Sequence, residues 1–365
     1  MVKQEKPRGD TDMNDSSYEP NALPADTQKR ILLDHAFGGK KRGFATFLIC
    51  CALLIAAFAV SALWMHGSGE SWFEKGAPTG EEAHTDGGEH GEEDMQAPII
   101  EGDEIPQGAT AILDRDLSYP ALGRDYIHNE TIYTPCVEEL LKCPIGAPDP
   151  TEQGPLVLIL HTHTGESFLP AGSRYVQGTL GDATYSRDEA QNILSVGATL
   201  CEVLNRRGIG AVHCKTVHDD PTVGGAYARA YESVQSYLAA YPTIRYVIDL
   251  HRDAIVTNSG ELVRTLAADG ETAQVMAVVG TSGNGTVFAQ GWESNLALAL
   301  QLREALNKNG AAVCRPVSLR NASFNQELAP FSLLLEIGTA ANSPKEAKRA
   351  AVQVGEALAD LIYAR

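Results

Sequence analysis

Basic residues are scarce in this chain. Its 29 lysines and arginines face 47 aspartates and glutamates, a formal net charge of −18 over 365 residues. A nucleic-acid partner calls for a cationic surface, so this balance argues against one. Cysteine is too sparse for a disulfide framework: there are seven, and Cys50 and Cys51 fall in an apolar run, leaving an odd number elsewhere. Cys136 and Cys143 would stand roughly 10 Å apart on a helix, too far to bond. Cys214 and Cys314 each end an expected strand, where a disulfide or separate burial is open. No Gly-x-Ser-x-Gly elbow is present, which disfavours serine hydrolysis at Ser167. The glycine-rich run from Gly280 to Gly285 lacks a Lys-Ser/Thr pair and the dinucleotide spacing, and reads as a loop.

Long apolar runs are also rare. The exception is Phe44 to Met65, 22 residues without a charge. As a helix it would span about 33 Å, enough for one bilayer crossing. It starts too late and runs too long for a signal-peptide core. Lys40-Lys41-Arg42 precedes it. Twelve acidic residues and one lysine follow between Glu70 and Glu104. That asymmetry predicts an anchor over residues 44–66 with the N-terminus cytoplasmic and the remainder extracytoplasmic. The expected organisation is a polar, disordered tail over 1–43, the anchor, an acidic linker over 67–110, a pre-domain segment over 111–154 that packs on the core or crosses to it, and a globular domain over 155–365. His84 and His90 in the linker read as solvated.

The globular part is built around Leu156-Val-Leu-Ile-Leu160, five apolar residues that run into His161-Thr-His163-Thr-Gly-Glu166. That is the pattern of a buried strand ending in polar groups. Two more expected strands end similarly: residues 245–250 run into His251-Arg252-Asp253, and 332–335 into Glu336. Further strands are expected over 209–214, 272–280 and 311–315, and helices over 188–206, 225–241, 292–306 and from Pro344 to the end. Ser343-Pro344-Lys345-Glu346 is a capping box. Strands alternating with helices predict an α/β fold with a mainly parallel, twisted sheet flanked by helices. In such sheets chemistry gathers past the carboxyl ends of the strands.

His161, Glu166 and His251 would give zinc three protein ligands and one open position, the hydrolytic arrangement. Glu336, ending a buried strand, would be the general base and later the acid. His163 competes with His161, since on a strand the two face the same side. His163, His218, Arg252, Arg320 and Asn325 are candidate substrate contacts.

Several motifs then point in one direction. Ile159-Leu-His161-Thr-His-Thr-Gly-Glu166-Ser-Phe168, Thr216-Val-His218-Asp219, Ile248-Asp-Leu-His251-Arg-Asp-Ala254, Trp292-Glu-Ser-Asn295, Phe324-Asn-Gln-Glu-Leu-Ala-Pro330 and Leu334-Leu-Glu336-Ile-Gly338 occur in the order of the stage II sporulation protein P family. The chain resembles that family over about residues 110–365. The resemblance implies a membrane-tethered peptidoglycan hydrolase with a zinc amidase-like fold. It implies N-acetylmuramoyl-L-alanine amidase activity, with endopeptidase activity on cross-links. It also implies partnership with stage II sporulation proteins D and M during engulfment. Carried over by position, His161, Glu166 and His251 are the zinc ligands and Glu336 the catalytic carboxylate. The acidic, His-bearing linker and the stretch Gly310 to Arg315 depart from the family pattern. The alternative is a non-catalytic scaffold that holds peptidoglycan in the same cleft; such a scaffold has no need of Glu336.

Overall fold

The computed structural model describes residues 105–118, 126–145, 153–282 and 291–363. The expected anchor, the acidic linker and most of the glycine-rich loop lie outside them. Among the described residues, no helix is long and apolar enough to cross a membrane.

Among the described residues, ten strands form two sheets: β1 Thr110–Arg115, β2 Ile127–Asn129, β3 Val157–Leu160, β4 Tyr175–Val176, β5 Ala211–His213, β6 Tyr246–Asp253, β7 Leu262–Thr265, β8 Val275–Gly280, β9 Val317–Arg320 and β10 Phe331–Thr339. Four longer helices are α1 Ile193–Arg206, α2 Ala226–Ala240, α3 Trp292–Leu306 and α4 Pro344–Tyr363. The main sheet runs β2-β9-β8-β10-β6-β3-β5, and a small sheet runs β4-β1-β7. Every neighbour pair in the main sheet is parallel except β10 with β8. That single reversal divides the sheet into two blocks that point opposite ways. β10, β6, β3 and β5 share one direction, so their carboxyl ends lie together.

The pleat sorts the residues of the central strands. Val157 and Ile159, Tyr246, Ile248 and Leu250, and Leu333, Leu335 and Ile337 bury in one cluster with the apolar stripes of α1, α3 and α4. Burying each such side chain contributes about 1.5–3 kcal/mol, so the strand ends are held firmly. Asp249, His251 and Glu336 alternate with these residues and therefore face the other way. α1 and α4 approach closely at Gly355, where an added Cβ would stand 2.6 Å from a Val203 methyl.

Several expected boundaries move, for identifiable reasons. α1 begins at Ile193 rather than 188, because the Asn192 side chain accepts from Leu194 N at 3.0 Å and caps the helix there. The expected strand 311–315 is reduced to one parallel bridge, Cys314 with Val275. Ala312 adopts φ 53° and Asn307 binds both the N–H and the C=O of Cys314 at 2.7 Å, and the regular strand starts at Val317. Residues 110–118 and 126–145 are built into the domain: β1 pairs with β7, β2 pairs with β9, and Gln301 binds the carbonyls of Leu140 and Cys143. Cys214 and Cys314 are separate, buried free thiols. The capping box forms as expected: Ser343 N donates to Glu346 Oε2 at 2.9 Å, and Glu346 N to Ser343 Oγ at 3.3 Å.

Candidate metal centre

Three strand ends converge. On neighbouring strands Glu336 pairs in register with His251, and Leu160 with Asp249. Past Leu160 the chain turns. Asp219 secures the turn by accepting from Thr164 Oγ1 and from Gly165 N at 2.8 Å. Glu166 then points back at β6, where its Oε2 accepts from Arg252 N at 3.0 Å and lies 3.5 Å from His251 Nδ1. The His163 ring stands edge-on to His251 with centroids 5.3 Å apart.

Three polar atoms of this cluster are buried without a hydrogen-bond partner: His163 Nδ1, His251 Nε2 and Glu336 Oε2. Such groups cost free energy unless something satisfies them. The His163 and His251 imidazoles and the Glu166 carboxylate are donor types zinc takes. The 3.5 Å between Glu166 Oε2 and His251 Nδ1 is close to one edge of a zinc tetrahedron, about 3.3 Å for ligands at 2.0–2.1 Å. Among the described residues, no three His, Cys, Asp or Glu side chains form a ready-made metal cage. The donor set fits zinc in chemistry and along one edge.

His161 is not part of this cluster. Continuing the pleat of β3, it falls on the helix-covered face, fully buried. Its Nδ1 lies 3.0 Å from the Leu250 carbonyl and its Nε2 2.8 Å from His213 Nε2. Both ring nitrogens are thus engaged away from His251, and burial lowers the pKa of His161 to about 4 and of His213 to about 2. A Cβ on Gly197 would stand 2.5 Å from His161 Nε2, so α1 seals the pair. Of the expected trio His161, Glu166 and His251, the structure brings Glu166 and His251 together, leaves His161 outside the cluster and puts His163 beside them instead. The shared side expected for 161 and 163 holds only on a strand, and the strand ends at Leu160.

The remaining expected contacts are distributed unevenly. His218 is buried, with Nδ1 at 2.8 Å from the His161 carbonyl and Nε2 at 2.8 Å from Ser233 Oγ. Arg252 donates to the carbonyls of Ser167 and Thr184, bracing the Glu166 segment. Asn325 donates to the Tyr227 carbonyl at 2.8 Å. Arg320 is not at the site: β9 runs against β6, which puts Arg320 at the opposite end of the sheet, paired with Glu130 at 3.1 Å.

Electrostatics separate the carboxylates. Burial, with Asp253 and Glu166 nearby, pushes Glu336 up to about 8. Burial also disfavours charge on Glu166, but His251 and Arg252 outweigh it and hold its pKa low. Burial opposes a charged His251 as well, yet Asp249 and Glu166 raise its pKa well above the ordinary value. The carboxyls of one cluster are thereby pushed apart, Glu336 up and Glu166 down, the pattern of an acid–base site.

Residues 81–362 match the family described as Stage II sporulation protein P (SpoIIP). The chain belongs to this family. The matched range holds every residue of the cluster. Stage II sporulation protein P of Bacillus subtilis (strain 168) is 28% identical over 219 residues, 57% of this chain and 51% of that protein. The chain thus spans about half the length of that curated relative. Among solved structures, an N-acetylmuramoyl-L-alanine amidase of Nostoc punctiforme is 16% identical, covering 58% of this chain and 97% of its own, with a TM-score of 0.33. One from Clostridium difficile is 14% identical, covering 57% and 96%, with a TM-score of 0.35. At these scores the likeness carries no argument about the site.

Two residues of this SpoIIP-family site escape the sequence patterns. Tyr227 reads as one apolar position of an amphipathic helix. Its ring stands 5.7 Å from His163 and stacks at 6.5 Å over His251. Burial, with the carboxylates of Asp249, Glu336 and Glu166, raises its pKa, so the phenol stays neutral. Asp249 reads as a strand residue. Its signal was a carboxylate two positions before His251, on the same face of the strand.

Proposed function

We propose that this chain is a zinc-dependent peptidoglycan hydrolase that cleaves the amide between the muramoyl lactyl group and L-alanine. The observation that carries the reading is Glu336: half-buried, with a buried, unpartnered Oε2, and in register with His251 among metal-type donors. His163, Glu166 and His251 would hold the ion. When bound, zinc supplies Lewis-acid polarisation of the scissile carbonyl and activation of water near neutral pH. In its ionised form Glu336 accepts the proton of the attacking water at Oε2 and returns it to the leaving amine. The neutral Tyr227 hydroxyl donates to the oxyanion as negative charge develops there. Arg252 and Asp219 keep the Glu166 turn in place. The walls formed by Tyr227, His163 and His251 exclude bulk water from the reacting carbonyl.

Placing the domain outside the cytoplasm on the 44–66 anchor, with stage II sporulation proteins D and M as partners in engulfment, belongs to the same proposal. It is supported by family membership and by the charge asymmetry around that segment. The test is digestion of purified peptidoglycan by the full chain and by Glu336→Gln, with product analysis. Free stem peptides from the native chain alone support an amidase. Cut cross-links with intact muramoyl amides would replace it with an endopeptidase. Equal turnover by Glu336→Gln would remove Glu336 from the mechanism.

A further inference from the structure

Asp249 is buried and sits where β3 meets β6. It accepts twice from Thr162: the backbone N–H donates to Oδ1 at 2.8 Å and the hydroxyl to Oδ2 at 2.6 Å. The same Oδ2 lies 3.2 Å from His251 Nε2, an ion-pair approach without an in-line hydrogen bond. On the other side of the ring, Nδ1 faces Glu166. One carboxylate therefore touches both segments that bring histidines to the site, since Thr162 precedes His163 and Asp249 lies behind His251. An imidazole that binds a metal through one nitrogen commonly donates its other N–H to a carboxylate, which fixes tautomer and ring orientation.

We propose that Asp249 is a positioning residue that holds the proton of His251 on Nε2, so that Nδ1 is the nitrogen presented to the metal beside Glu166. The inference rests on the reading of the cluster as a zinc site. It fixes the ligating atom of His251, which the ligand set alone leaves open. It also accounts for a buried carboxylate between Ile248 and Leu250 that has no part in the proton transfers assigned to Glu336. Nε2 and Oδ2 are close but not aligned, and a small rotation of the ring closes the bond.

The test is zinc affinity of the full chain, measured by competition with a chromogenic chelator, for the native protein, Asp249→Asn and Thr162→Val. The amide of Asp249→Asn keeps the size of the carboxylate but loses the charged acceptor. Affinity is expected to fall about 10–100-fold in Asp249→Asn, with the melting curve of the zinc-free protein retaining a single cooperative transition. Thr162→Val removes one of the two Thr162 bonds and is expected to leave affinity within about threefold. Unchanged affinity in Asp249→Asn overturns the proposal, as does an equal loss in Thr162→Val, which would make the role purely structural. Should Asp249→Asn fail to fold, imidazole nitrogen NMR of the native zinc-loaded chain decides: a protonated Nε2 with zinc on Nδ1 upholds the proposal, and zinc on Nε2 refutes it. If the native chain binds no zinc, the metal reading itself fails, whereas native binding with an unaffected variant removes Asp249 alone.

Discussion

Replacing Glu336 by glutamine tests the electrostatics of the site without any substrate. The Glu336 carboxyl is buried and its pKa rises from 4.5 to about 8. Between those values the unfolded chain has released this proton and the folded chain has kept it. The folded state then binds more protons than the unfolded one, and stability falls as pH rises through that window. At about 1.36 kcal/mol per unit, the full traverse corresponds to about 5 kcal/mol, a ceiling that relaxation and water entry reduce. His251, whose pKa is also raised, adds to the decline from about pH 6.5 upward. Glu336→Gln removes the first contribution and leaves most of the second. The assay is urea unfolding of the chelator-treated protein at pH 5 and pH 8. The native chain is expected to lose several kcal/mol between them, and Glu336→Gln distinctly less, so that the variant is the more stable protein at pH 8. Parallel losses in both proteins would refute a buried, protonated Glu336.

Three further substitutions separate the parts of the account. Gly197→Ala drives a methyl into the His161–His213 contact and should cost about 1–3 kcal/mol of stability in thermal or denaturant unfolding; a neutral result would mean that α1 does not seal that pair. Tyr227→Phe should lower kcat on peptidoglycan fragments about 10²-fold, with KM changed little, if its hydroxyl stabilises the oxyanion; an unchanged kcat would reduce Tyr227 to a wall. Arg320→Ala should cost at most about 1 kcal/mol, as for a partly exposed ion pair, and leave hydrolysis unaffected; a large loss of activity would bring it back as a substrate contact.

The framework of the site was legible because it is local. Five apolar residues before His161, and similar runs before His251 and Glu336, announce buried strands with polar ends, and the three strands are neighbours in the sheet. The capping box at Ser343 was legible for the same reason. What failed depended on geometry beyond the strand. His161 and His163 differ by two residues, and pleat parity would place them together. Parity stops at Leu160, and the turn secured by Asp219 carries His163 to the opposite face. Arg320 was misplaced because nothing in the run Val317–Arg320 tells which way β9 points. Only the antiparallel junction of β8 with β10 shows that it runs away from the site. Tyr227 was hidden in a helical apolar stripe, since a ring at that spacing reads as packing whether it meets leucines or imidazoles.

The central claim is that His163, Glu166 and His251 hold a zinc ion that works with Glu336 on peptidoglycan. The most direct measurement is zinc content of the purified full chain together with release of stem peptides from peptidoglycan, each with and without chelator, for the native protein and His163→Ala. The account predicts one equivalent of zinc, chelator-sensitive release by the native chain, and loss of both in His163→Ala. Folded native protein that binds no zinc, or a His163→Ala variant that keeps both zinc and activity, would contradict it.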